Sequence, residues 1–140
     1  MNLEWAFQKA VYDFLSNRSS LETLLGGPDK IVDAPPNEIA LPYIMIGDHH
    51  TDEADVTPTD SDNGYGLIHR LTLHVWSSYE GKKEVAAILA NMRSGLRDNL
   101  LPMDEGRLVR MRCGMSDHFA DPDGQGYHGV QIWNAHTEEN

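Results

Sequence analysis

Two adjacent histidines flanked by carboxylates are the first residues whose types and spacing could do chemistry. His49 and His50 lie beside Asp48 and Asp52, and imidazole nitrogens with carboxylate oxygens are ligands for a transition-metal ion. Neighbouring side chains of an extended segment point to opposite sides, so adjacent histidines rarely share one ion. The pattern therefore favours two exposed loop histidines over a metal site.

Other short motifs are better explained as turns or core residues than as catalytic or calcium sites. Residues 60–64 begin like a calcium loop, but the glycine comes one place too early and the twelfth position is not Glu. Residues 121–124, Asp-Pro-Asp-Gly, are complete as a plain turn. Cys113 is the single cysteine and alternates with apolar neighbours, which indicates a core thiol rather than a nucleophile. We therefore expect no enzyme activity, no cofactor and no metal.

The formal charge of the 140 residues is −11, and it is unevenly distributed along the chain. Residues 1–69 hold 12 acids and 3 bases, residues 70–112 hold 5 acids and 8 bases, and residues 113–140 hold 5 acids and no base. Such a chain is repelled by DNA and by anionic membranes, because phosphate binding requires clustered positive charge. Segregated charge can orient self-assembly, although the simpler interpretation is a solvated surface that keeps the protein soluble.

Length and composition are those of one globular domain spanning residues 1–140. Apolar residues make up 40% and charged residues 24% of the chain, which is enough apolar surface for one core. No apolar run approaches the ~20 residues that span a bilayer, and no basic segment followed by an apolar one opens the chain. We expect a protein that is made and stays soluble in a cytosol.

Two charged groups are the candidate interaction residues. The segment of residues 48–66 is predicted to be a long polar loop, and it contains six acids and no base up to residue 62: Asp48, Asp52, Glu53, Asp55, Asp60 and Asp62. Like charges in one loop repel each other, so these acids should face water or a basic neighbour. Arg107, Arg110 and Arg112 could bind phosphate or pair with carboxylates, and the acidic surplus favours carboxylates across the sheet or on a neighbouring subunit.

Apolar stripes predict the helices that position these groups. One stripe predicts a helix over residues 2–16 with Asn2 as N-cap; its members are Leu3, Phe7, Ala10, Val11 and Phe14. Ser19 and Glu22 have the spacing of a capping box for a short second helix, which residues 26–28, Gly-Gly-Pro, end. The clearest stripe predicts a helix over residues 81–99; its members are Val85, Ile88, Leu89, Met92 and Leu96.

Alternating and short apolar runs predict the strands. They lie at residues 31–32, 42–46, 67–76, 108–115 and 128–136. In residues 108–115, one face should hold the apolar side chains and the other two arginines; the apolar set is Val109, Met111, Cys113 and Met115. Helices followed by strands, twice over, predict an α+β domain with one mostly antiparallel β-sheet and two main helices packed on it.

Three segments, taken with their order and spacing, form a recognisable set. They are residues 41–48, LPYIMIGD; residues 69–77, HRLTLHVWS, followed by an apolar helix; and the turn at residues 121–124 followed by HGVQIW at residues 128–133. In these segments the chain resembles the tail-completion or tail-terminator proteins of long non-contractile-tailed phages and phage-like gene transfer agents. The resemblance extends over nearly the whole chain.

The resemblance implies a structural virion protein without catalytic residues. It implies a ring, usually of six subunits, that caps the tail tube and joins it to the head connector, with DNA passing through the centre. The expected partners are other copies of the chain, the major tail tube protein and the head-tail connector or stopper protein, at the top of a tail assembled in the host cytoplasm. In such a ring the six acids would line the lumen or meet Arg107, Arg110 or Arg112 of a neighbour.

Two other classes of protein fit the composition. A small acidic enzyme or binding protein of the cytosol would need a pocket with convergent polar groups and a specific small ligand. A DNA mimic would imitate phosphate with its acids and bind a basic DNA-binding protein as a monomer.

Overall fold

The computed structural model describes residues 1–35, 38–55, 65–78, 81–122 and 126–140. Within these residues the chain forms three helices and five strands. They are α1 (Leu3–Ser16), α2 (Ser19–Leu25), β1 (Ile31–Val32), β2 (Tyr43–Asp55), β3 (Tyr65–Ser77), α3 (Lys83–Leu96), β4 (Arg107–Ala120) and β5 (Tyr127–Glu138). None of the described helices is long and apolar enough to cross a membrane.

The strands form one sheet in the order β1-β2-β3-β5-β4. The short β1 runs parallel to β2, and the pairs β2–β3, β3–β5 and β4–β5 are all antiparallel. The predicted α+β class with a mostly antiparallel sheet is confirmed. Because β5 lies between β3 and β4, β4 is an edge strand although the chain reaches it before β5.

The helices pack on one face of the sheet and enclose the core with it. Asn2 caps α1 as predicted, because its side-chain oxygen accepts a hydrogen bond from Trp5 N–H at 3.0 Å. All five residues of the predicted α3 stripe are buried. The sheet meets the helices with side chains from four strands: Ile44, Ile46, Leu71, Leu73, Val75, Met111, Trp133 and Ala135.

The prediction of a long loop over residues 48–66 is wrong at both of its ends. Strand β2 continues to Asp55, and β3 begins at Tyr65, with pairing that extends to Asp55 and Tyr65 themselves. Backbone hydrogen bonds to β3 hold this half of β2 in the sheet, so its polar side chains do not prevent strand formation. Residues 56–64 lie outside the described residues.

The predicted faces of β4 are also partly wrong. Leu108 and Met111 face the core, whereas Val109 is 40% and Met115 46% exposed. The pairing of β4 with β5 shifts register between Leu108 and Arg110 and again between Cys113 and Met115. Each such bulge inserts one residue and reverses the alternation that follows it, so strict alternation fails there.

The start of α2 differs from the predicted capping box. Arg18 is the N-cap, no side chain caps the helix, and Ser19 is already its first residue. The Arg18 carbonyl accepts hydrogen bonds from the N–H groups of Leu21 and Glu22. The end of α2 is as predicted, with Gly26 in the left-handed conformation at φ 82°.

Replacing Leu89 with alanine should lower the free energy of unfolding by about 2–5 kcal/mol, because it empties a buried site beneath α3. Leu89 is 2% exposed, and the matched control is Leu100→Ala, since Leu100 is 59% exposed. The control should change the free energy of unfolding by less than about 0.5 kcal/mol. Urea denaturation measures both values. A small loss for both variants would mean that α3 does not pack on the sheet.

Candidate functional site

One face of the sheet carries no helix of the described part of the chain, and we term it the helix-free face. Leu71 and Leu73 of β3 point to the helices, so the residues between them point the other way. Cross-strand pairing extends this assignment to the other strands. The face comprises Tyr43, Met45, His50 and Asp52 of β2; Ile68, Arg70, Thr72, His74 and Trp76 of β3; His128, Val130, Ile132, Asn134 and His136 of β5; and Arg110, Arg112, Met115, Asp117 and Phe119 of β4.

A row of four rings crosses one end of the helix-free face. Tyr43, Trp76, His128 and Phe119 lie opposite one another on β2, β3, β5 and β4. The ring centroids are 5.3 Å apart for Tyr43 and Trp76, 4.4 Å for Trp76 and His128, and 5.1 Å for His128 and Phe119. Trp76 stacks on both Tyr43 and His128, and Phe119 meets His128 edge-on, so the ring contacts are made within the row. The row therefore presents an apolar platform rather than free rings for stacking nucleotide bases.

The other end of the helix-free face has an acidic and a basic edge. Asp52 of β2 pairs with Ile68 of β3, Ile68 with His136 of β5, and His136 with Arg110 of β4. Asp52 and Arg110 therefore stand at the two ends of one cross-strand row. Three strand spacings separate them by about 14 Å, so they cannot form an ion pair within one copy.

The structure places four of the six candidate acids on residues 48–55 of β2, which we term its far half; they are Asp48, Asp52, Glu53 and Asp55. The side chains of Asp48, Asp52 and Glu53 are all exposed there. Of these three acids, Asp52 lies beside a histidine, with 3.3 Å between Asp52 Oδ2 and His50 Nε2. Asp55 ends β2, and its side chain is not described; Asp60 and Asp62 lie outside the described residues.

The three candidate arginines are adjacent on β4 but differ in their partners. Arg107 donates to Glu138 Oε2 of β5 at 2.6 Å, and Arg112 Nε lies 2.7 Å from Asp98 Oδ1, which follows α3. No carboxylate of the described residues lies within ion-pairing distance of Arg110. Arg110 is therefore the member of the set whose charge is not matched within the described part of its own copy.

The adjacent histidines point to opposite sides of β2, as the extended-chain argument requires, but they are not loop residues. His50 is exposed beside Asp52, whereas His49 faces the core and its Nε2 lies 2.8 Å from His69 Nδ1. His69 Nε2 lies 2.7 Å from Thr137 Oγ1. Among the described residues, no three His, Cys, Asp or Glu side chains are grouped to hold a metal ion.

The hydrogen-bonded network of His49, His69 and Thr137 is suited to neutral imidazoles. If His69 carries its proton on Nε2, that N–H donates to Thr137 and Nδ1 accepts from His49. Burial, together with the positive charges that His49 and His136 would carry, lowers the pKa of His69 to about 3. Burial also lowers the pKa of His49. Both imidazoles of this network therefore remain uncharged near neutral pH.

A second histidine pair belongs to the aromatic row. His74 Nδ1 lies 2.9 Å from His128 Nε2, and burial lowers the pKa of both residues. Sequence analysis missed both histidine pairs and the row of rings. The members of each histidine pair are 20 or more residues apart in the chain, and the rings of the row come from four strands, so only strand register brings them together.

Cys113 is partly buried against the core rather than fully enclosed. Burial raises the pKa of its thiol, and its Sγ lies 3.5 Å from the carbonyl oxygen of Met115. A raised thiol pKa disfavours the nucleophilic thiolate. This geometry agrees with the structural role predicted for Cys113.

This geometry defines a class: a small α+β protein with one covered sheet face, one open face and oppositely charged edges, which suits contact with other proteins. The tail completion protein gp17 family model matches residues 9–138. A chain in the virion of a native gene transfer agent particle is similar over 98% of both chains, with 23% identity and a TM-score of 0.84. The gp17 protein of bacteriophage SPP1 is similar over 100% of this chain and 97% of its own, with 20% identity and a TM-score of 0.57. No curated protein matches the chain.

The chain belongs to the tail completion protein gp17 family, because the family model covers nearly its whole length. It is thus a structural protein of the tail of a phage or phage-like virion, and it assembles with other proteins of the particle. The resemblance seen in the sequence is confirmed. At 23% and 20% identity, the two solved structures support the fold alone.

The stability of the protein should fall as the pH is lowered from 7 to 5, because His69 must stay neutral when folded. Its folded pKa is about 3 against an ordinary value of 6.5, so the unfolded chain binds more protons in this range. Above pH 6.5 His69 is neutral in both states and does not lower the free energy of unfolding. At pH 5 protonation of the unfolded chain at His69 lowers the free energy of unfolding by about 2 kcal/mol.

The measurement is the free energy of unfolding in urea at both pH values. His69→Gln, which keeps one donor and one acceptor, should show a smaller loss than the parent by about this amount. The control, His50→Gln, alters an exposed imidazole and should retain the parent's loss. Identical losses in all three proteins would show that His69 is not held neutral.

Proposed function

We propose that this chain, as a single domain of residues 1–140, forms a ring of six copies at the top of the tail. The ring caps the tail tube, contacts the major tail tube protein on one side and the head-tail connector or stopper protein on the other, and passes DNA through its centre. Its subunits are assembled in the host cytoplasm and bind neither membrane nor a specific DNA sequence. The observation that carries the proposal is the match to the tail completion family over residues 9–138.

The charge of the chain supports a conduit that does not retain DNA. At −11 per copy, six copies would create a strongly negative field that repels phosphate. A DNA-binding ring would instead need an excess of arginine and lysine along the path. Acidic subunits therefore suit passage of DNA without binding.

The sheet supports assembly into a closed ring. A ring of identical subunits requires two different surfaces on each copy, one meeting the other on the next copy. The acids of β2 and the arginines of β4 lie at opposite edges of the same sheet. Asp48, Asp52, Glu53 and Arg110 are exposed, so these residues are accessible to a neighbouring copy.

Electron microscopy of intact particles should show this chain as a ring between the tail tube and the head. Particles from cells lacking the chain should separate into DNA-filled heads and free tails, because the joint between them is missing. The ratio of joined to free tails measures the effect. A single copy of the chain, fibres of it along the tail, or normal joining in its absence would contradict the proposed ring.

Converting the six acids of the segment 48–62 to their amides separates a lumen from an interface. If they line the lumen, particles should assemble but deliver DNA more slowly; if they pair with arginines, joining of the tail should be lost, since breaking such pairs leaves charges unmatched.

A control variant with the same charge change neutralises six acids elsewhere: Glu4, Glu22, Asp29, Asp33, Glu38 and Glu139. It should join and deliver DNA like the parent. Parental behaviour of both variants would mean that the acids of residues 48–62 form only a solvated surface.

A further inference from the structure

The sheet has two open edges. On one side β4 is outermost, and its edge is closed at Met111, whose carbonyl accepts a hydrogen bond from Asp98 N–H. Among the described residues this is the one backbone hydrogen bond made to that edge, so the open part is residues 107–110. On the other side β1 pairs only with Ile44 and Met45, so the far half of β2 has no strand beyond it in the described part of the chain. Open edges are where another strand can add, because their N–H and C=O groups lack partners.

The open parts of the two edges lie at the same level along the strand direction. Register runs from Asp52 through Ile68 and His136 to Arg110, so Arg110 lies level with Asp52. In a ring whose axis runs along the strands, every copy lies at the same level along that axis. The open edge of β4 therefore faces the far half of β2 in the next copy. The near half of β2 is closed by β1, which confines pairing to the half that carries the charges.

The strand directions match as well. Successive antiparallel pairings make β2 and β5 run one way and β3 and β4 the other. Rotation about a ring axis aligned with the strands preserves these directions. A β4 strand beside the next copy's β2 is therefore antiparallel to it, which is the more stable of the two pairings.

We propose that copies join edge to edge, with residues 107–110 of β4 adding antiparallel to the end of the far half of β2 on the next copy and Arg110 opposite Asp52. This inference rests on the proposed ring and names the surface that closes it. Both residues are exposed, and Arg110 has no carboxylate within ion-pairing distance among the described residues of its own copy. The occupant of each edge is thus a second copy of this chain.

Charge also opposes the wrong pairings. Two β4 edges would place Arg110 against Arg110, and two β2 edges would place Asp52 against Asp52. Like charges directly opposite each other destabilise a strand pair. Only the unlike edges combine, and a contact between unlike surfaces gives a ring rather than a two-fold dimer.

Disulfide cross-linking in assembled particles tests the pairing. The parent for this test is Cys113→Ser, which removes the single native thiol, and the double variant adds Arg110→Cys and Asp52→Cys. Opposed residues of an antiparallel pair have Cα atoms about 4.5–5.5 Å apart, which a disulfide can bridge. Oxidation should give a ladder of covalent oligomers that ends at the ring size.

Controls for the cross-linking use one edge at a time. Either cysteine alone should give monomers, and so should Arg110→Cys combined with Glu22→Cys, because Glu22 lies in α2 on the covered face of the sheet. Rings by microscopy without the ladder overturn edge pairing and leave the proposed function standing. Absence of rings from the parent particles overturns the proposed function itself.

Charge exchange provides a second readout. Arg110→Glu and Asp52→Arg should each reduce the yield of joined particles by about tenfold or more, and the double exchange should restore it, because coupled neighbours are not additive. Arg70→Glu is the control, since Arg70 lies on central β3 of the same face and away from both edges. Equal urea midpoints for the isolated variants show that each is folded. No restoration in the folded double variant overturns the Arg110–Asp52 contact.

Discussion

Packing of the helices on a single face of the sheet is the interaction on which the rest of the structure depends. Gly129 of β5 makes it close, because a Cβ there would lie 2.9 Å from Val85 Cγ2 and 3.1 Å from Leu89 Cδ1 of α3. Beside it, Gln131 Nε2 donates to the Leu89 carbonyl at 3.1 Å, and Trp133 Nε1 donates to Gln131 Oε1 at 2.9 Å. The helices bury this face, so the opposite face and the edges are left for contacts with other proteins.

The His49–His69–Thr137 network links this core to the edge that carries the acids. His49 of β2, His69 of β3 and Thr137 of β5 lie in contact beneath Phe7 of α1, whose ring centroid is 4.6 Å from that of His69. A charge in this layer would have to lose its water, and at His49 this cost outweighs the attraction of the Glu4 carboxylate. The neutral network thus holds the far half of β2 against the sheet, and Asp52 belongs to that half. Positioning of the acidic edge and sensitivity to mild acid therefore have the same origin.

Sequence patterns predicted local elements well and long-range pairing poorly. The stripe of α3 was recognisable because a helix is made by residues three and four apart, and all of its members are buried. The acidic part of β2 was mistaken for a loop because its composition is polar, whereas its partner β3 lies beyond residues 56–64 in the chain. The faces of β4 were misassigned because the bulges near Val109 and Gly114 leave no mark on the alternation.

The sequence by itself determined the acidic charge, the helical stripes, the α+β class and the family, since composition, short-range spacing and motif order carry these. Only the tertiary structure decided which charges meet at which edge. The order β1-β2-β3-β5-β4 inserts β5 between β3 and β4, and this makes Arg110 an edge residue and leaves Arg70 in a central strand. Strand order and register depend on which distant segments share backbone hydrogen bonds, and the burial of one common face under the helices selects them.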